Sequence, residues 1–170
     1  MRHFLYKRGY NSAISIRLAD GYEFGVFLPH IGKLYLPGEG KSLKTTIARF
    51  LFWLYSFGKA KIAYIKDVKR EGMVCHCSYI IPRIVKFPFM KKQDLEIGPC
   101  YTVPEFRGQG LYPKMLLHIT SQEEYKNSDF WMIVEEKNEA SIRGIEKAGF
   151  QKVGEVKRTR FFKRYIQVRE

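Results

Sequence analysis

The stretch Tyr101-Thr102-Val103-Pro104-Glu105-Phe106-Arg107-Gly108-Gln109-Gly110-Leu111 joins a segment typical of a β-strand to one typical of an α-helix. The strand is expected over residues 94–103, and the helix over residues 111–125, with Pro113 in its first turn. Glycines let a backbone approach a ligand closely, and the amide hydrogens at a helix start attract anions. The stretch therefore predicts a phosphate-binding loop, although a tight turn alone would also explain its two glycines.

The residues that flank these glycines, from Tyr101 to Leu111, closely resemble the acetyl-coenzyme A signature of the GNAT superfamily of N-acyltransferases. Residues 138–150, Asn-Glu-Ala-Ser-Ile-Arg-Gly-Ile-Glu-Lys-Ala-Gly-Phe, resemble the later asparagine-to-glycine-phenylalanine segment of the superfamily. Together the matches cover a coenzyme-binding core of about residues 94–156. The resemblance implies an α+β fold, with a mixed, mostly antiparallel sheet that splays after its central strand and helices on both faces.

The same resemblance implies which residues bind acetyl-coenzyme A, the expected co-substrate. Backbone groups of Tyr101, Thr102 and Val103 would bond the pantetheine arm, and Asn138 would lie beside the coenzyme. The amides that would take the pyrophosphate belong to Arg107, Gly108, Gln109, Gly110, Leu111 and Tyr112. No metal ion is expected.

Two residues depart from the superfamily pattern. Tyr112 stands where Gly or Ala is usual, which changes the side chain beside the loop but leaves the amides available. Ile145 stands where a tyrosine usually protonates the departing thiolate, so the usual general acid is missing.

Two carboxylates are candidates for the base that an ammonium acceptor requires. Asp94 and Glu96 precede the loop on one strand, where alternation places them on the same face, and Glu96 is the preferred base. A solvated or salt-bridged carboxylate remains the alternative for each. Tyr101 and Tyr79 are candidates for the missing phenol.

Three further side chains are weaker candidates. A nucleophilic Cys100 is an alternative to direct transfer, although a small residue packed beside the pantetheine explains it as well. His76 lies within a predicted strand and could reach the cleft, whereas His118 is expected to face solvent.

The remaining sequence predicts one domain, residues 1–170, whose amino-terminal half forms the acceptor side. Strands are predicted at 12–18, 21–27, 61–68, 73–85 and 130–134, a closing hairpin at 151–156 and 160–168, and helices at 42–57 and 138–148. The helix 42–57 carries a wide apolar face that is expected to pack in the core, with docking on a membrane or partner as the alternative. Residues 1–8 lack the apolar run of a secretory signal.

Charge and cysteine content limit the partners and the compartment. Thirty basic and seventeen acidic residues give a net charge of +13, which attracts coenzyme A, nucleic acid, anionic membranes or anionic sugars alike. Three cysteines, two of them in Cys75-His76-Cys77, fit neither a disulfide framework nor a paired zinc motif, so a reduced, cytoplasmic protein is expected.

These observations favour an N-acetyltransferase that acts on a small-molecule amine. An amino sugar or sugar nucleotide is the leading acceptor, and a protein amine is a second possibility. The alternative from another class is a non-catalytic module that binds acyl-coenzyme A or docks on a membrane or nucleic acid. No specific nucleic-acid motif is present, peripheral membrane contact stays open, and the sequence does not indicate an oligomeric state.

Overall fold

A computed structural model describes residues 2–13, 16–36, 43–83, 87–159 and 164–168. The strands are β1 (His3–Gly9), β2 (Tyr22–Phe27), β3 (Lys61–Asp67), β4 (Met73–Pro82), β5 (Leu95–Thr102), β6 (Asp129–Glu135), β7 (Gln151–Arg158) and β8 (Tyr165–Val168). The helices are α1 (Leu43–Tyr55), α2 (Leu111–Thr120) and α3 (Glu139–Lys147), with short 3-10 helices at Val68–Arg70, Pro104–Phe106 and Glu123–Tyr125. The strands form one sheet in the order β2-β3-β4-β5-β6-β1-β7-β8.

The sheet is antiparallel except where β5 meets β6. These two strands run parallel and pair only through Leu95 with Phe130 and Glu96 with Trp131. Beyond Glu96 they separate, and a cleft opens between them. The predicted α+β fold, with a mostly antiparallel sheet that splays at its centre, is confirmed.

A β-bulge lies in β5 at the start of this separation. Ser78 of β4 faces Cys100, whereas Ile80 faces Ile97, so β5 has one extra residue opposite Tyr79. A bulge bends its strand and increases the local twist. It therefore turns the second half of β5 away from its first half at the point where the cleft begins.

Helices cover both faces of the sheet, as predicted. On one face, α2 and α3 pack through Met115, Ile119 and Ile145, which are fully buried. On the other face, Leu5, Phe87 and Trp131 form a second cluster, against which Phe52 of α1 packs.

The sequence patterns failed to predict β1, which lies in the sheet between β6 and β7. Its alternation is broken because Leu5 and Tyr6 are both buried where the pairing with β7 shifts register. A lysine at position 7 also suggests a segment that is exposed to solvent. In the structure, however, Lys7 forms an ion pair with Asp129 at 2.8 Å and lies over the ring of Trp131.

The predicted strand at residues 12–18 is wrong for the residues that the structure describes. Ser12 and Ala13 form a turn, and residues 16–18 have no regular structure. The Asn11 side chain accepts a hydrogen bond from the Ala13 amide at 3.0 Å, which turns the chain directly after β1.

Other boundaries differ by a few residues. The strand predicted at 73–85 ends at Pro82, whose ring removes a ladder donor, and residues 84 and 85 lie outside the described ranges. The helix predicted to reach residue 125 ends at Thr120, and a short 3-10 helix follows. The closing hairpin is confirmed by the pairing of β7 with β8. The predicted start of α1 at Ser42 lies outside the described residues.

The expectation that the apolar face of α1 packs in the core is wrong. Ile47, Leu51 and Leu54 are exposed. The helix instead contacts the sheet through Phe52, whose ring lies edge-on to Tyr79 at 5.6 Å. One large ring on the opposite side of the helix makes the contact, so the apolar stripe faces outward.

Candidate active site

The predicted loop opens α2 with two glycines in the left-handed region. Gly108 has a φ of 79° and Gly110, which precedes the first helical residue, has a φ of 72°. Only glycine adopts this conformation without strain. A Cβ at either position would meet no atom within 4 Å, so the backbone conformation, rather than crowding, requires glycine here.

The loop presents amide hydrogens that the fold leaves available. Among the described residues, the amides of Gly108, Gln109 and Gly110 form no backbone hydrogen bond. The Arg107 amide, by contrast, donates to the Pro104 carbonyl at 3.2 Å. The structure thus places the anion-binding amides from Gly108 onward, where the positive end of the α2 dipole adds to them.

A cleft of about 550 Å³ lies beside this loop, between the second half of β5, the start of α2 and α3. Of the predicted coenzyme residues, the following line it: Tyr101, Thr102, Arg107, Gly108, Gly110, Leu111, Tyr112 and Asn138. Val103 packs against the core, and the Gln109 side chain accepts a hydrogen bond from Tyr22 at 2.8 Å. Arg143 and Lys147 of α3 also line the cleft, so cations stand on both sides. The glycine loop, its available amides and these cations together form a site that suits the pyrophosphate of a coenzyme.

Asn138 is the residue from which α3 begins. Its side-chain oxygen accepts a hydrogen bond from the Ser141 amide at 3.2 Å and caps the helix. The oxygen is therefore occupied structurally, while the residue itself lines the cleft.

Tyr112 fills part of the cleft because Gly144 makes room for it. A Cβ at Gly144 would lie 2.5 Å from Cδ1 of Tyr112, so the ring packs directly on the α3 backbone. The His76 ring lies 5.6 Å from that of Tyr112, and the Tyr112 hydroxyl lies near the Cys100 thiol. Tyr112 thus bridges α2, α3 and β5.

A row of hydrogen-bonded side chains forms the inner wall of the cleft. His76 bonds the hydroxyl of Thr102 through Nδ1 at 2.7 Å and that of Ser78 through Nε2 at 2.9 Å. The Cys100 thiol lies near Ser78 and near the Tyr112 hydroxyl. Burial lowers the pKa of His76 to about 4, so its imidazole is neutral at pH 7.

The Cys100 thiol and the Tyr112 hydroxyl are both protonated at neutral pH. Burial raises the pKa of Cys100 to about 12. It also raises the pKa of Tyr112 well above its usual range, with Cys100 and the nearby Glu96 as further causes. A protonated thiol is a poor nucleophile, which favours direct transfer over a role for Cys100 as nucleophile.

The two candidate carboxylates have different surroundings. Asp94 is buried and accepts hydrogen bonds from the Lys91 amide at 2.9 Å, the Trp131 indole at 2.8 Å and the Asp129 amide at 3.4 Å. These bonds tie the start of β5 to β6. Glu96 is buried at the last pair before the two strands part, and its charge contributes to the raised pKa of Cys100 and Tyr112, which line the cleft.

The remaining candidates are distributed over the molecule. Tyr101 lines the cleft and is 54% exposed, whereas Tyr79 packs on Phe52 away from it. His118 does not face open solvent but stacks on Phe24 at 3.8 Å. Within the described residues, no group of three or more His, Cys, Asp or Glu side chains could hold a metal ion.

Comparisons with solved structures support the fold. The chain is similar to a GNAT-family acetyltransferase from Colwellia psychrerythraea (TM-score 0.58, 13% identity), covering 89% of this chain and 53% of that one. It is also similar to a GCN5-related N-acetyltransferase from Sphaerobacter thermophilus (TM-score 0.60, 10% identity), covering 91% and 49%. A ribosomal-protein-S5-alanine acetyltransferase from Vibrio fischeri matches with a TM-score of 0.54 and 15% identity, covering 91% and 92%. No protein-family model and no curated protein matches the sequence.

The chain therefore has the GNAT acetyltransferase fold. It spans about half the length of the first solved structures that it matches. At these identities the likeness establishes the fold, and the activity has to be argued from the site.

The prediction that His76 could reach the cleft is confirmed, because His76 lines it. Sequence reasoning missed its partner Ser78, although alternation in β4 places Ser78 on the same face, two residues from His76. Gly144 was a second signal, since a glycine inside a helix allows close approach of another group.

Proposed function

We propose that the protein transfers an acetyl group from acetyl-coenzyme A to a primary amine by direct attack. The observation that carries this proposal is the glycine loop at the start of α2, which opens with free amides into a cleft between two diverging strands. Binding of the co-substrate by the loop amides, with Arg107 and Lys147 nearby, places its pyrophosphate at the helix start.

Glu96 is the residue that we propose as general base. A buried carboxylate at the point where the strands part can accept the proton of an ammonium acceptor, directly or through water. Asp94 is the less suitable base because three hydrogen bonds hold its carboxylate. The Glu96 carboxylate makes the amine a nucleophile at the mouth of the cleft.

The protonated wall of the cleft can stabilise the leaving sulfur. Tyr112 and Cys100 both keep their hydrogens at neutral pH and line the cleft. Their raised pKa values make them weak acids, so either stabilises the departing thiolate by donating a hydrogen bond to it and keeps its own proton. Tyr101, which also lines the cleft, remains a second candidate for this role.

For the acceptor we propose a small, anionic amine, with amino sugars and sugar nucleotides as the leading class. The net charge of +13 supports this choice because it raises the local concentration of anions. A protein amine is the second class, to which the likeness with the ribosomal-protein-S5-alanine acetyltransferase adds weight.

One observation favours a second function, that of a non-catalytic acyl-coenzyme A binding module. Ile145, at the usual tyrosine position, is buried in the core, and the Tyr112 ring narrows the cleft. A module of this kind would bind the coenzyme without turnover.

The test is calorimetric titration with acetyl-coenzyme A, followed by detection of free thiol from the coenzyme with a panel of amines. Gly110→Trp should abolish binding, and Gly72→Trp is the matched control. Gly72 has a φ of 75°, close to the 72° of Gly110, but it lies in the turn before β4. Both variants bear the same backbone strain, and only the first obstructs the loop.

Binding that is lost in Gly110→Trp alone, together with thiol release, supports the acetyltransferase. Binding with no thiol release from any amine supports the module. A folded wild type that does not bind the coenzyme contradicts both.

A further inference from the structure

The outer side of α1 is a continuous apolar stripe. Leu43, Ile47, Leu51 and Leu54 follow one another at intervals of three or four residues and are 79%, 52%, 56% and 55% exposed. Such spacing places them side by side along one face of the helix. Phe57, which is 85% exposed, extends the stripe past the helix end. We call these five residues the α1 surface.

Phe57 is held outward by the backbone. Its φ is 53°, in the left-handed region that a bulky residue rarely adopts, and Gly58 follows with a φ of 69°. The Gly58 amide donates to the Trp53 carbonyl at 2.9 Å and closes the helix end. The helix terminus therefore fixes a large aromatic ring in solvent.

An open cavity of about 1070 Å³ adjoins the α1 surface. Its apolar lining includes Leu51, Leu54, Phe57 and Pro88. Scattered exposed apolar residues are ordinary, but a contiguous patch beside an apolar cavity is typical of an interaction site.

The described residues next to the cavity-lining ones in the chain are basic or uncharged. Residues 43–59, 83, 87–93 and 164–168 contain no aspartate or glutamate. Their basic residues include Arg83 and Arg164, which line the cavity, and the exposed Lys59, Lys91 and Lys92. An apolar stripe with a basic border matches the boundary between lipid headgroups and acyl chains.

We propose that the α1 surface docks the protein on a bilayer that contains anionic phospholipid. The apolar stripe enters the upper acyl layer, and the basic border attracts the headgroups. No helix among the described residues is long and apolar enough to cross a bilayer. Docking goes beyond the proposed acetyl transfer and does not depend on it.

Charge argues against a second copy of the chain as the occupant. Two identical faces that meet across a two-fold axis would bring two basic borders together, and a net charge of +13 on each copy adds repulsion. An anionic bilayer offers the complementary charge.

The position of α1 is compatible with activity at the membrane. Phe52 of α1 packs on the sheet face opposite α2 and α3. The loop at Gly108 and Gly110 belongs to the α2 side, so docking through α1 leaves it accessible.

The test is co-sedimentation of the full chain with vesicles of phosphatidylcholine, with and without about one-third phosphatidylglycerol. We expect partitioning onto the anionic vesicles to be at least about tenfold stronger than onto neutral ones. Leu51→Glu/Leu54→Glu should reduce it at least about 30-fold, because it removes two inserted side chains and adds two repelled charges.

The matched control is Val68→Glu/Val153→Glu. These valines are 48% and 45% exposed and lie in the short 3-10 helix after β3 and on β7, so the pair adds the same charge away from α1. Its loss of partitioning should stay within about fivefold. Leu51→Ser/Leu54→Ser serves if the charged variant fails to fold, as judged by thermal melting.

Three results would overturn the proposal. The first is a folded wild type that does not sediment with anionic vesicles at low salt. The second is an equal loss in the α1 variant and its control, which would mean that net charge alone binds. The third is a dimer by light scattering that Leu51→Glu/Leu54→Glu dissociates, with no vesicle binding. Titration with acetyl-coenzyme A on the same variants tests the loop separately, so failure of docking does not count against acetyl transfer.

Discussion

The contact between Tyr112 and Gly144 allows a sharp test of how the cleft is built. Gly144→Ala adds one methyl group inside α3, where alanine stabilises a helix by about 1 kcal/mol relative to glycine. In this protein that Cβ would stand 2.5 Å from Cδ1 and 2.8 Å from Cε1 of the Tyr112 ring. The ring must shift by roughly 1 Å to restore van der Waals contact.

The ring has little freedom to move. The ring is largely buried, its hydroxyl lies near Cys100, and the His76 ring lies 5.6 Å away. Overpacking of this kind costs about 1–3 kcal/mol, so Gly144→Ala alone should range from neutral to about 2 kcal/mol less stable. In a Tyr112→Ala background the clash is gone, and the same substitution should add about 1 kcal/mol of stability.

The assay is urea unfolding of the wild type, both single variants and the double variant. We expect a coupling free energy of about 1–3 kcal/mol between the two sites. The control cycle pairs Tyr112→Ala with Glu139→Ala, an exposed α3 residue whose recorded partner is Arg143, and should be additive. Coupling below about 0.5 kcal/mol for Gly144 would refute the close packing of Tyr112 on α3.

Two further predictions concern the charged groups around the cleft. Glu96→Gln should lower kcat at least about 100-fold and leave the stability unchanged. Asp94→Asn should keep most of kcat but cost about 1–3 kcal/mol of unfolding free energy, because it leaves a buried donor without its acceptor. The reverse pattern in assays of rate and urea unfolding would exchange the roles of the two carboxylates. Burial lowers the pKa of His76 from 6.5 to about 4. Between these two values the imidazole is protonated in the unfolded chain but neutral in the folded one. The free energy of unfolding therefore falls as the pH drops from 6.5 to 4, by up to about 3 kcal/mol. His76→Gln should remove that part of the pH dependence in melts between pH 7 and 4, and an unchanged slope would show that His76 is not buried neutral.

The fold class could be predicted through the resemblance of residues 94–156 to the superfamily, and the loop could be predicted because backbone conformation dictates residue type there. Gly108 and Gly110 occupy left-handed positions that admit little else, so local sequence alone indicates the geometry. The same holds for Asn138, whose side chain caps α3. Such constraints act on neighbouring residues only, so they can be recognised in the local amino-acid sequence.

Features that depend on distant partners could not be predicted in this way. β1 lies in the middle of the sheet, yet Lys7 gives it the pattern of a surface segment, since Asp129 and Trp131 supply the compensating contacts. The exposure of the α1 surface was missed for the same reason. Periodicity shows which residues share a face, but not which face meets the sheet.

The two departures from the superfamily pattern, Tyr112 and Ile145, are physically linked through Gly144. A tyrosine at position 145 would have to fit where Ile145 is 1% exposed in the core between α2 and α3. Tyr112 on α2 brings a phenol to the cleft, and its ring packs there because Gly144 has no side chain. A large residue at 112 therefore requires a small one at 144. Considered singly, each departure suggests that the general acid is lost. Considered together, they place a buried, protonated phenol in the cleft beside the glycine loop.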